Sequence, residues 1–312
     1  MSYFAFFATS AFDRDVLPGI MRLTTFTVVA ASVVCLPACH RQAAPEKGLA
    51  TPSITLSHDK VSLGSPIDIT YKFVVAPDAP RFTEDYRVFA GVVDADDQLM
   101  WTDDHNPPTP TTEWKPNQTI TYTRTVFIPV YPYVGEAAIH MGLYSTNTQK
   151  RLPLNGPHIG QHSYNVARLQ LLPQSENVFT IYKDGWHPAE VQEQNSLVEW
   201  RWTKKTATLA FRNPKVDALF YLELDNPGVV LSEPQLVTIG LAGQTVEQFT
   251  LVPKQLVLKK IPLKATQFGT GEMAELQIDI SKTFIPALVL TSNRDPRELG
   301  VRVFHAFIQP VR

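Results

Sequence analysis

Ile67-Asp68-Ile69-Thr70-Tyr71-Lys72-Phe73 alternates apolar and polar residues without a break. A period of two marks a strand with one face on a core, because successive side chains point to opposite sides. Ile67, Ile69, Tyr71 and Phe73 therefore share an inward face. Working outward, similar runs recur at even spacing: 53–57, 86–93, 98–102, 119–128, 137–144 and 163–171. Asp94-Ala95-Asp96-Asp97 supplies a turn between two of them. In 119–128, Ile120, Tyr122, Arg124 and Val126 fall on one face and Thr119, Thr121, Thr123 and Thr125 on the other. About seven strands over 51–172 suit an immunoglobulin-like or fibronectin-like β-sandwich.

Pro173-Gln174-Ser175-Glu176-Asn177 reads as a linker. Beyond it the strand pattern resumes at 178–182, 198–203, 206–211, 218–224, 235–239, 244–251, 255–261, 274–280 and 301–308. About eight or nine strands over 178–312 suit a second, jelly-roll-like β-sandwich. No long segment repeats apolar residues at helical spacing. With 25 prolines and 15 glycines punctuating short alternating runs, the expected class is all-β, two sandwiches in series.

The net charge of −2 argues against a nucleic-acid surface, which needs a basic excess. Cys35 and Cys39 are the two cysteines, and both lie near the start. The rest of the chain therefore has no disulfide, thiol nucleophile or Cys-based zinc site.

Met21-Arg22, the apolar run Leu23 to Val34, and Leu36-Pro37-Ala38-Cys39 have the order of a secretory signal. Asp13, Arg14 and Asp15 fit poorly inside such a signal, so Met21 is the expected start and 1–39 the signal region. Leu-x-Ala-Cys resembles the lipobox of bacterial lipoproteins. That resemblance implies lipidation of Cys39, and His40 after it implies export to an outer membrane where the cell has one. The expected location is the cell envelope, lipid-anchored on the periplasmic side of the outer membrane or at the cell surface. An ordinary cleaved signal and an uncleaved anchor helix are the other readings. The run is shorter than the roughly 20 apolar residues of a spanning helix. Residues 40–50, polar and rich in Ala, Gln and Lys, read as a tether.

Two further stretches carry a resemblance. Tyr133-x-Gly135, Gly142-Leu143-Tyr144 and Arg151-Leu152-Pro153-Leu154 resemble a hairpin of the extracytoplasmic domains of bacterial polyprenyl-sugar glycosyltransferase proteins, with Ser145 and Lys150 replacing the usual Asp and Gly. Gly185-Trp186-His187, Glu190, Trp200-Arg201-Trp202 and Asp295-Pro296-Arg297-Glu298-Leu299-Gly300 resemble, in order and spacing, the carbohydrate-binding-like β-sandwich domains appended to bacterial glycosyltransferases. The transmembrane catalytic domain of those enzymes has no counterpart here. The resemblance implies an accessory module and not the reaction.

Trp186, His187, Glu190, Trp200, Arg201 and Trp202 form the densest cluster of chemistry-bearing residues. Sugars present flat C–H faces ringed by hydroxyls, and apolar walls with a few charged partners suit them. Trp200 and Trp202, two apart, share one face of a strand and Arg201 takes the other. If the shared face is inward, the tryptophans are core. His187-Pro188-Ala189-Glu190 has one His and an intervening proline, so no metal is expected there, and Glu190 has Arg297 or a backbone amide as its ordinary partner. Asp94, Asp96, Asp97, Asp103 and Asp104 are oxygen ligands of the type calcium takes, yet each also has normal turn chemistry. Trp101, Trp114, Tyr131 and Tyr133 suit either a groove or a core. Arg297 and Glu298 are expected to stabilise the final turn, and Gly300 to supply a positive φ where the last strand begins.

No phosphate loop, Gly-x-Ser-x-Gly elbow or His-Glu-x-x-His is present. The expected function is a non-catalytic envelope lipoprotein that recognises a surface or exopolysaccharide glycan through its C-terminal sandwich, with no cofactor and no nucleic-acid partner. The alternatives are a docking lipoprotein for an envelope protein assembly and a hydrolase of cell-surface polymers, the latter needing two facing carboxylates.

Overall fold

The computed structural model describes residues 46–311. The expected signal, Cys39 and the first part of the tether lie outside the described residues. In chain order the strands of the first half are β1 (Ala50–Leu56), β2 (Lys60–Ser62), β3 (Pro66–Val75), β4 (Tyr86–Val93), β5 (Leu99–Thr102), β6 (Thr119–Phe127), β7 (Gly135–Ser145) and β8 (Tyr164–Leu172). Those of the second half are β9 (Thr180–Tyr182), β10 (Glu190–Gln192), β11 (Asn195–Trp202), β12 (Thr206–Arg212), β13 (Ala218–Asp225), β14 (Gln235–Leu241), β15 (Gln244–Leu251), β16 (Val257–Leu263), β17 (Met273–Ile280) and β18 (Arg302–Pro310). The described residues are nearly all β, as the alternation predicts, with one four-residue α-helix at Pro286–Val289.

The first half stacks a three-stranded sheet, β1-β3-β6, on a five-stranded one, β2-β8-β7-β4-β5. This is the immunoglobulin arrangement, with the third, sixth and seventh principal strands opposite the first, second and fifth. On β3, Ile67, Ile69, Tyr71 and Phe73 are all buried, the face read from the alternation. They pack with Val88, Ile139, Met141, Leu143 and Leu171 of the facing sheet. β6 follows the expected row, with Ile120 buried and Tyr122 opposite Tyr71.

The second half pairs β10-β11-β18-β13-β16 with β15-β14-β17-β12-β9. From β11 to β18 consecutive strands alternate between sheets, except at the β14–β15 hairpin. Eight strands wound this way form a jelly roll. Phe220, Leu222 and Leu224 of one sheet meet Leu209, Phe211, Val237, Ile239, Leu276 and Ile278 of the other in a separate core.

β2 and β10 have no counterpart in the sequence reading, because three residues are too few to show a period. The tether is shorter than 40–50. Leu49 N–H donates to the Pro153 carbonyl at 2.9 Å, Asn155 N–H to the Ala50 carbonyl at 2.8 Å, and Ala50 is fully buried. Gln174–Glu176 in the linker forms a 3₁₀ turn, and Asn177 Nδ2 donates to the Leu63 carbonyl at 2.8 Å.

Outward-facing residues join the two sandwiches. Lys260 Nζ lies 2.6 and 2.7 Å from the carboxylate oxygens of Asp68, which also accepts from Thr125 Oγ1 at 2.7 Å. Phe127 stacks on His305 with ring centroids 3.8 Å apart and planes 6° apart, and meets Tyr221 edge-on. His305 Nδ1 is 2.6 Å from Glu223 Oε2. One end of the outer face of the β10-β11-β18-β13-β16 sheet is therefore covered by the first sandwich. Its β10–β11–β18 end carries the residues considered next.

Candidate functional site

The register across this sheet decides which predicted residues meet. Directly opposed residues in antiparallel strands share a face. Glu190 is opposite Trp200, and Trp202 is opposite Arg302, which is opposite Asp225. These five side chains lie on the outer face, next to Phe304. Trp200 and Phe304 have ring centroids 6.1 Å apart. The Arg302 guanidinium lies 5.0 Å from the Trp200 ring and 5.3 Å from the Phe304 ring. It donates to both carboxylate oxygens of Asp225, at 2.8 and 2.6 Å. Such a fork fixes the guanidinium plane as well as its position.

Arg297 closes the edge of this face. Its Nη1 donates to Glu190 at 2.7 Å, while Nε and Nη2 grip Asp295 at 2.7–3.0 Å. Hydrogen bonding from Arg297 holds the Asp295 carboxyl below its usual range, and the same bonds raise the guanidinium further. The result is a strip of two aromatic rings, two arginines and three carboxylates. Trp202 adds little accessible surface: it is 8% exposed, with Phe284 packed edge-on against it. Trp200 is half-buried, and its indole N–H has no hydrogen-bond partner among the described residues.

Three expected members stand apart from the strip. Trp186 packs against the jelly-roll core, donates its indole N–H to the Thr208 carbonyl at 2.9 Å, and meets Tyr182 edge-on at 4.9 Å. His187 is 8% exposed and donates from Nε2 to the Glu298 carbonyl at 2.6 Å, which ties the ring to the final turn. Arg201 is opposite Val303, an inward residue, and its guanidinium lies 4.8 Å over the Tyr182 ring. Of the expected six, Glu190, Trp200 and Trp202 come together. Arg302, Phe304 and Asp225 join them without having been singled out. Arg302 and Phe304 repeat the two-residue spacing of Trp200 and Trp202, but only the register shows that the pairs adjoin.

Glu298 sits in the final turn, accepting from Thr283 Oγ1 at 2.7 Å. Gly300 corrects an expectation: its φ is not positive. A Cβ there would sit 2.5 Å from Thr203 Oγ1 and 2.8 Å from the Lys204 carbonyl, so glycine answers close backbone approach and not a left-handed turn.

In the first sandwich, Asp103 accepts from Tyr71 at 2.9 Å and from Arg124 Nε and Nη2 at 2.9 and 2.7 Å. Asp104 caps the Ala90 N–H at 3.3 Å, and Asp94 caps those of Asp96 and Gln98 at 2.9 Å. The loop carboxylates thus do turn and core work, and do not join in one oxygen cage. His105 Nδ1 is 2.7 Å from the Asp103 carbonyl, which can only accept, so Nδ1 carries the proton and Nε2 takes the Tyr122 hydroxyl at 2.8 Å. Burial pushes the His105 pKa below its ordinary 6.5, outweighing Asp103 and Asp104. The unfolded chain then binds this proton more readily, so stability is full above about pH 6.5 and falls as pH drops through the folded pKa. Urea midpoints at pH 7.5 and 5.0 should therefore diverge more in the natural chain than in His105→Gln. Equal divergence would rule this out.

No family model and no curated protein matches the chain. Among solved structures it is similar to a family GH115 4-O-methyl-α-glucuronidase, BtGH115A, with specificity for decorated arabinogalactans, at 16% identity and TM-score 0.29 over 47% of this chain and 20% of that one. It is similar to the CBM22-1–CBM22-2 tandem of Paenibacillus barcinonensis Xyn10C at 7% identity and TM-score 0.27, over 84% of this chain and 92% of that one. It is also similar to the CBM51-2 and INT domains of Clostridium perfringens ZmpB at 6% identity and TM-score 0.24, over 57% of this chain and 38% of that one. The chain thus spans a fifth of the glucuronidase and under two-fifths of the ZmpB fragment. At these scores no binding property transfers to it.

Proposed function

We propose that this chain is a non-catalytic, lipid-anchored envelope protein whose jelly-roll domain recognises a surface glycan or exopolysaccharide. The observation that carries the reading is the convergence of Trp200, Phe304, Arg302, Asp225 and Glu190 on one sheet face. Aromatic edges meet the C–H faces of a sugar, and the arginines and carboxylates exchange hydrogen bonds with its hydroxyls. The strip lies on the outer face of a sheet, which favours weak recognition of a repeated unit over enclosure of a small molecule. Each carboxylate is already bound by an arginine, an arrangement suited to holding a ligand and not to donating a proton. The lipobox ending at Cys39 supplies the proposed anchor.

Trp200→Ala is expected to reduce retention of the full chain on an envelope-polysaccharide panel by at least about fivefold, given roughly 1 kcal/mol or more for one aromatic contact. Retention equal to that of the natural chain would remove this face as the site. The second reading, a docking module for an envelope protein, is favoured by one feature. Val229, Leu288 and Val289 are 72%, 78% and 52% exposed around an apolar groove of about 740 Å³. Clustered apolar exposure of this kind marks association sites. Capture of one envelope protein, lost on Leu288→Asp, with no glycan retained, would select it.

A further inference from the structure

The immunoglobulin-like half holds a cleft that the sheet-face reading does not use. It is an open cleft of about 770 Å³ between the segment around Arg81 and the loop 109–118. Pro116 is the exposed apolar residue of its lining, Ala79 and Trp114 lie largely covered behind it, and Thr109, Thr112 and Gln118 contribute hydroxyl and amide groups. A volume of this order falls in the range of small-ligand sites, roughly 300–1,000 Å³, and the polar side chains of the lining suit a ligand rich in hydrogen-bonding groups.

The loop is held in place before any ligand arrives. Trp114 is 3% exposed, packs against Phe73 and Phe82, and donates its indole N–H to the Thr109 carbonyl at 2.9 Å. Thr111, fully buried, bridges the Glu84 carbonyl at 3.0 Å and the Tyr86 N–H at 2.8 Å. Lys115 N–H donates to Gln118 Oε1 at 2.8 Å. A preformed loop spares the ordering cost of binding.

Charge sets the class of ligand. Arg81 and Lys115 line the cleft with exposed cationic ends, and neither has a carboxylate partner among the described residues. Elsewhere the cations beside pockets are neutralised: Arg168 pairs with Glu136 and Lys183 with Glu275. Glu113 is the carboxylate in the lining, while Asp85, outside it, is engaged by Thr112 at 2.7 Å. Asp85 keeps its charge under these bonds, so two cations and two carboxylates border the cleft, and the preference for an anion rests on Arg81 and Lys115 lining it while Asp85 stays outside the lining.

We propose that this cleft, through Arg81 and Lys115 beside Trp114, binds an anionic sugar unit of an acidic polysaccharide. The guanidinium pairs the acid group in a fork, the ammonium adds a point charge, and Glu113 with the threonine hydroxyls takes sugar hydroxyls. The site is separate from the Trp200 strip and does not rest on it.

The test is calorimetric titration of the full chain with a uronic-acid hexasaccharide, and with the same hexasaccharide after reduction of its carboxyl groups. The acidic form is expected to bind at least about tenfold more tightly than the reduced one, and to weaken between about 0.05 and 0.5 M salt as screening grows. Arg81→Gln with Lys115→Gln, both on exposed side chains, should cost at least about tenfold, while Lys183→Gln, at an exposed cation already paired with Glu275, leaves this titration unchanged. Equal binding of the two hexasaccharides, no binding, or full affinity in the double variant would overturn the proposal. So would displacement by inorganic phosphate at the same concentration as the sugar, which would reduce the cleft to a general anion site. If Trp200→Ala alone abolishes binding, the sheet-face reading stands and this one fails. Loss in the Arg81/Lys115 variant alone places the acidic sugar in the cleft and not on the strip.

Discussion

Asp103→Ala is expected to destabilise the first sandwich by about 3 kcal/mol, from the cost of leaving buried partners unsatisfied. Asp103 is 12% exposed and serves three donors, Tyr71 Oη and two nitrogens of Arg124. Tyr71 is fully buried, so its hydroxyl has no route to water once the carboxylate is gone. Arg124 is 39% exposed at its side chain and regains part of its solvation, which keeps the expected loss below that of a fully enclosed pair. Burial first, and then Asp103, raise the Tyr71 hydroxyl pKa well above normal, so it stays a donor throughout the accessible pH range. Asp103→Asn keeps one acceptor and should fall between Ala and the natural residue. Glu136→Ala breaks only an exposed pair with Arg168 and should leave the urea midpoint unchanged. If Asp103→Ala matches Glu136→Ala, the network is ornament to an apolar core.

Gly185→Ala should cost at least about 3 kcal/mol, combining a left-handed backbone position with overpacking. Gly185 has φ +81°, and a Cβ there would sit 1.8 Å from the Thr206 carbonyl oxygen and 2.7 Å from Ala207 Cα. Those are backbone atoms of β12 and cannot swing aside. Relief requires moving segment 183–187, which breaks the Lys204 N–H bond to the Gly185 carbonyl and the Trp186 bond to Thr208. Gly243→Ala is the control. It has φ +77° and nothing within 4 Å, so it carries the conformational cost alone, about 1 kcal/mol. Equal losses in the two variants would show that crowding at Gly185 is not what demands glycine.

The strands were legible because each long one carries its own period. β3 and β6 declare their inward faces residue by residue, and β12 to β18 match their alternating runs within a few positions. The candidate site was half legible. That Trp200 and Trp202 share a face, opposite Arg201, follows from strand geometry alone. That the face is the outer one, that Glu190 stands beside Trp200, and that Arg302 covers both Trp200 and Phe304 depends on pairing between strands distant in sequence. Trp186 and His187 misled for a related reason. They lie next to the cluster in sequence, but their polar atoms are spent on the backbone carbonyls of Thr208 and Glu298.

From the sequence alone come the all-β class, the two-sandwich plan and the partition of most side chains between core and surface, since these follow from a local period of two. Tertiary structure alone decides which strands adjoin, which polar residues are already satisfied, and which cations remain unpaired. Register is set by burying whole faces against one another, and no segment carries that information by itself.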